Sequence, residues 1–245
     1  MKTARQTDAR MGITAVSRPC NEGGVEAYTG GRIAVILEGG PGAGKTSVAR
    51  ELADMLRARG LRACIVGDAA RLLAGLLGRL FGDWHRAPRS VIEYLFMGYQ
   101  LCGLMECSGA DVAILDYSLD APLAYMEADG LEYPRELDGI SLEALKGFRV
   151  YVFVLEGLSG YGTDEARWEP PPTAQRYSRF LFRRAAALAA RLGVPLYVVP
   201  EMRGPRERAS FITTILLSST TTQGHAGGGA GGGGEEGAGG CSPGA

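Results

Sequence analysis

Apolar residues follow two rhythms along this chain. Short unbroken runs have strand length: Ile33 to Leu37, Cys64 to Val66, Val112 to Leu115, Arg149 to Leu155 and Val194 to Val199. Their β-branched content suits strands buried on both faces. Between them apolar positions recur at helical spacing. The stripes are Val48, Leu52, Met55 and Leu56; Leu72, Leu73, Leu76, Leu77 and Leu80; Val91, Ile92, Leu95, Phe96, Tyr99 and Cys102. Two more follow, Tyr177, Phe180, Leu181, Ala185, Leu188 and Leu192, then Phe211, Ile212, Ile215 and Leu216 in a helix of about Pro205 to Leu217. Shorter helices are expected at Pro122 to Glu127 and Ser141 to Lys146. Gly60 and Gly193 stand where helix ends favour a residue tolerant of positive φ.

Strands alternating with helices predict an α/β fold, a doubly wound five-stranded parallel sheet with helices on both faces. Right-handed crossovers join its strands, and ligands bind at their carboxyl ends. Residues 1–31 read as a flexible leader, 32–217 as the domain, and 218–245, rich in Ser/Thr and then Gly, as a disordered tail. Gly157 to Pro172 carries three glycines and three prolines, the composition of a movable flap.

Composition narrows the class. With 26 basic and 27 acidic residues the net charge is −1, so no whole-molecule field draws the chain to nucleic acid or anionic membrane. No apolar run has the length of a membrane span, and the opening residues lack a hydrophobic signal region, so the expected compartment is the cytoplasm. Five cysteines without a C-x-x-C pair argue against a disulfide framework and a zinc site; Cys64 and Cys102 read as small core residues. Histidine occurs only at His85 and His225, which leaves little material for a histidine-based triad.

Candidate chemistry lies directly after the first strand, in E-G-G-P-G-A-G-K-T-S. Gly39, Gly44, Lys45 and Thr46 fill G-x-x-x-x-G-K-[ST] between a strand and a helix. A polyphosphate needs a ring of backbone N–H donors, and residues without Cβ let the chain curl tightly around it. The binding set is then Gly39, Gly40, Pro41, Gly42, Ala43, Gly44, Lys45, Thr46 and Ser47. Lys45 reaches the β/γ-phosphates and the Thr46 hydroxyl ligates Mg²⁺. Lysine occurs elsewhere only at Lys2 and Lys146, in a chain whose basic residues are otherwise arginine.

The remaining polar residues choose among reactions. The sole asparagine, Asn21, leaves no N-K-x-D guanine-reading motif, and Asp116 is followed by Tyr117 and Ser118 rather than a water-activating glutamate. A phosphotransferase suits what is present. Asp68, ending the second strand, could orient a substrate hydroxyl or cap the helix starting at Ala69; Asp116 could hold the Mg²⁺ shell or be a turn residue. Arg167, in the flap, could compensate charge on the transferring phosphoryl group or be one solvated arginine among many; Arg176 and Arg71 carry weaker versions of the same idea.

These segments, with V-G-D-A-A-R, I-L-D-Y-S-L-D-A-P-L-A-Y, D-E-A-R-W-E and R-E-R-A-S-F-I, resemble the P-loop kinases of the thymidylate-kinase and ribosylnicotinamide-kinase type over roughly Ile33 to Leu217. The resemblance implies ATP with Mg²⁺, Asp68 and Arg71 at the acceptor, Asp116 as the strand-end acid, and Arg167 from the lid. Tyr117 departs from it, standing where many such kinases have arginine. A kinase acting on a nucleoside or nucleotide, an ATPase and a nucleotide-sensing module are the readings that follow.

Overall fold

The computed structural model describes residues 31–67, 69–83, 86–159 and 170–221. Five strands form one parallel sheet: β1 (Ile33–Glu38), β2 (Ala63–Val66), β3 (Val112–Asp116), β4 (Arg149–Leu155) and β5 (Leu196–Val199), in the spatial order β2-β3-β1-β4-β5. The expected doubly wound α/β architecture is therefore present. Every residue of central β1 is buried, because β3 and β4 pair with its two edges and helices cover both faces. Each large aliphatic side chain held there contributes roughly 1.5–3 kcal/mol by leaving water.

Alternation along β1 divides the core. Ile33, Val35 and Leu37 face α1 (Lys45–Arg57) and α7 (Pro205–Thr221) through Val48, Leu52, Leu56, Ile212 and Leu216. Ala34 and Ile36 face the other way, toward Leu104 of α3 (Arg89–Glu106) and Ala185 and Leu188 of α6 (Pro171–Leu192). Helix α4 (Ala121–Ala128), which follows β3, packs on α6, and α5 (Ile140–Ala144) precedes β4. Chains leaving neighbouring β1 and β3 thus turn to opposite faces, which opens a crevice at their carboxyl ends.

Helix α2 (Ala69–Phe81) packs on α3 through Leu73 and Leu77. Its apolar stripe is only partly buried: Leu76 and Leu80 are exposed, as are Val91 and Leu95 of α3.

Two expectations about cysteine are corrected. Cys64 and Cys107 form a disulfide with a Cα–Cα distance of 5.6 Å, and Cys102 is exposed on α3 rather than in the core. A sequence separation of 43 hides the pair, but β2 runs beside β3, and Cys107 lies in the turn just before β3. Adjacent strands bring the two sulfurs together. The leader to residue 30 and the tail from residue 222 lie outside the described residues.

Candidate functional site

The turn from β1 to α1 is built by glycine where only glycine fits. Gly39, Gly42 and Gly44 have φ of +144°, +78° and +82°. A Cβ on Gly39 would stand 2.7 Å from the Leu155 carbonyl oxygen, and one on Gly40 would stand 1.8 Å from Ser178 Oγ on α6. The loop is therefore wedged between β4 and α6. Within it the Ala43 N–H donates to the Gly40 carbonyl at 3.1 Å.

Lys45, the first residue of α1, folds back into this loop. Its Nζ donates to the Gly39 carbonyl at 2.7 Å and to the Gly40 carbonyl at 2.9 Å, and the side chain is buried. Gly44 caps the helix without a side chain, and no acidic residue stands in the first turn. The leading amides of α1 have no intrahelical acceptors, so the positive end of the helix opens into the loop. Thr46 is half-buried and Ser47 exposed at that end.

Neighbouring β3 supplies the opposite wall. Asp116 is buried and lies in register with Leu37, and the Tyr117 N–H donates to the Leu37 carbonyl at 3.1 Å. Tyr117 has φ of +95°, a conformation costly for a residue with a side chain. Its ring centroid lies 3.8 Å from Lys45 Nζ, a cation–π contact, while its hydroxyl pairs with that of Tyr125 at 3.2 Å.

Glu38 joins the two strand ends. Fully buried, it accepts the Gly39 N–H on Oε1 and the Ser118 N–H on Oε2, each at 3.2 Å. Burial pushes its carboxyl up to about 7, against the lowering effect of Ser118 and Lys45.

Beyond Tyr117 lies a charged aromatic cluster. Arg89 pairs with buried Glu93 at 2.8 Å and lies over the rings of Tyr125 and Tyr177 at 4.8 and 5.3 Å. Tyr177 donates to both Asp129 oxygens at 3.0 Å, and Arg176 donates to Asp129 at 2.8 Å. On the other flank, buried Arg208 of α7 donates from Nη1 to the Ala43 carbonyl at 2.7 Å and from Nη2 to the Glu156 carbonyl at 2.9 Å.

Of the residues expected to act, the structure gathers Gly39 to Ser47, with Asp116, at the β1/β3 crevice. Asp68, Arg167 and the side chain of Arg71 lie outside the described residues. Arg176 is engaged by Asp129. Sequence reasoning assigned no role to Glu38, Arg89, Glu93 or Arg208. A carboxylate closing an otherwise apolar strand could have flagged Glu38, and the i,i+4 spacing could have flagged Arg89 with Glu93. Nothing local distinguishes Arg208 from its neighbours.

Chemically, such a loop suits a polyanion: glycine backbone, orphan amides and one ammonium converge on one end of the sheet. No curated protein matches the chain in sequence. Among solved structures, a deoxyadenosine kinase from M. mycoides, determined with the products dCMP and dCDP, superposes with a TM-score of 0.52 at 12% identity, covering 76% of this chain and 100% of that one. That likeness shows that the two chains share a fold. The AAA domain family matches residues 34–208, and with that span and this loop the chain belongs to the AAA domain family.

Proposed function

We propose that the protein transfers the γ-phosphoryl group of ATP to a small hydroxylated acceptor, a nucleoside or nucleotide, in the manner of the thymidylate- and ribosylnicotinamide-type kinases it resembles. The observation that carries this reading is the turn between β1 and α1, with its three positive-φ glycines, uncapped helix amides and Lys45 folded against the Gly39 and Gly40 carbonyls. On this reading Gly39, Gly40, Pro41, Gly42, Ala43, Gly44, Lys45, Thr46 and Ser47 bind the triphosphate. Lys45 exchanges its carbonyl partners for phosphate oxygens, and its charge offsets negative charge developing on the transferred group.

Mg²⁺ suits the same donors. The Thr46 hydroxyl at the helix start and the Asp116 carboxylate at the strand end would hold it, sharing it with phosphate oxygens as is usual for this ion. Bound there, it would neutralise charge on the β/γ-phosphates. Asp68 is assigned to orienting the acceptor hydroxyl and Arg167 to the transferred phosphate, both from sequence position. Tyr117 and Ser118 follow Asp116 where a water-activating glutamate would be needed, which favours transfer to an acceptor over hydrolysis.

ADP release from ATP with Mg²⁺, measured with and without a panel of nucleosides and nucleoside monophosphates, tests the reading. Acceptor-dependent ADP supports it. ADP formed equally without any acceptor makes the protein an ATPase, and binding without ADP makes it a sensor.

A further inference from the structure

Among the described residues Lys45 and Arg208 are the buried cations, and both grip the same loop. Lys45 belongs to the loop motif; Arg208 comes from α7, 165 residues beyond Ala43 in sequence. The residue is 2% exposed, and its Nε–H has no hydrogen-bond partner among the described residues. Burial draws its pKa down, against the more distant carboxylates of Glu201 and Glu156. Burying a cation whose direct partners are neutral carbonyls is costly, whereas an apolar side chain could fill the same place without that cost. The placement therefore calls for a gain elsewhere.

Peptide geometry shows where that gain lies. In a trans peptide the C=O and the following N–H lie in one plane and point in opposite directions. No cis peptide occurs among the described residues, so Arg208, by drawing the Ala43 carbonyl toward α7, turns the Gly44 N–H away from α7. The second fork of the guanidinium holds the Glu156 carbonyl, and the Glu156 N–H donates to the Val199 carbonyl at 3.0 Å. The Ala43–Gly44 peptide is thereby tied to the ends of β4 and β5. The planar fork reaches the two carbonyls from separate nitrogens in fixed directions, whereas an ammonium would offer rotatable donors from one nitrogen on a flexible stem.

We propose that Arg208 is a positioning residue of the triphosphate site: it holds the Ala43 carbonyl outward so that the Gly44 amide is aimed at the bound phosphates. This rests on the triphosphate reading above. Arg208 does not touch the ligand; it acts through one peptide plane.

The test uses the full chain, with Arg208→Lys and Arg208→Met, titrated with ATP and with ADP in the presence of Mg²⁺. Both variants are expected to keep the wild-type circular dichroism spectrum. Arg208→Met should lose affinity for both nucleotides on the order of tenfold or more, with Arg208→Lys between it and wild type. In an acceptor-dependent assay KM for ATP should rise while kcat stays within about threefold, the pattern of lost ground-state binding. The amide resonance of Gly44 should move when nucleotide is added to wild type and move less in Arg208→Lys, a readout that general loss of stability does not produce. Wild-type affinity in folded Arg208→Met overturns the proposal; if that variant does not fold, wild-type affinity in Arg208→Lys does so. A Gly44 amide unmoved by saturating nucleotide in wild type overturns it with no variant needed. If wild type binds no nucleotide at millimolar concentration, the triphosphate reading itself falls, and this one with it.

Discussion

Single residues at the β1/β3 crevice carry opposed demands, and the opposition is measurable. Lys45 is buried against two carbonyls and the Tyr117 ring. Lys45→Ala should lower ATP affinity by about a hundredfold or more, the loss expected of several charge-assisted contacts, while circular dichroism stays native. Undiminished binding would remove the loop from the site. Glu38 is a carboxyl held near 7 where an unfolded chain has about 4.5. The folded protein therefore keeps a proton that the unfolded chain has released, so this group's contribution falls as pH rises from about 4.5 to 7. Glu38→Gln lacks that loss, and its melting temperature relative to wild type should increase across the window; a pH-independent difference would refute the role of burial. The Lys45 loop was legible in sequence because its chemistry is local. Glu38 was only partly so: a carboxylate ending an apolar strand is a local signal, but its hydrogen-bond partner Ser118 stands 80 residues away.

At the scale of elements, the packing of α6 on the loop is as specific as any single bond. Gly40→Ala would place a methyl 1.8 Å from Ser178 Oγ and 2.9 Å from Ser178 Cβ, so α6 must shift or the loop must open. We expect a loss of about 1–3 kcal/mol in chemical denaturation, partly restored in the double variant with Ser178→Gly. Additive effects would place the clash elsewhere. All five strands and the long helices were legible from apolar rhythm, but their ends were not. The last helix continues to Thr221 rather than stopping near Leu217: Ser and Thr have only slightly lower helix propensity, so composition alone does not mark its end. Strand β5 begins at Leu196 rather than Val194, since the Val194 N–H still closes α6 on Ala189 and Pro195 has no N–H to give. The stripes of α2 and α3 read most simply as core-facing, or as walls of a substrate pocket, and Leu76, Leu80, Val91 and Leu95 are exposed; periodicity marks an apolar face but not its partner.

For the whole molecule, the Cys64–Cys107 bond is the largest departure from what composition suggested, since an odd cysteine count without close pairs conceals a bridge made only by tertiary proximity. Loop-closure entropy over a separation of 43 corresponds to about 4 kcal/mol. Reductant should therefore lower the melting temperature of wild type and leave a Cys64→Ser/Cys107→Ser variant unmoved. Helices α2 and α3 lie entirely between the two bonded residues. A protease that nicked the backbone anywhere along that excursion would free no fragment: the severed halves would stay clasped at the root and migrate as one band until a thiol was added.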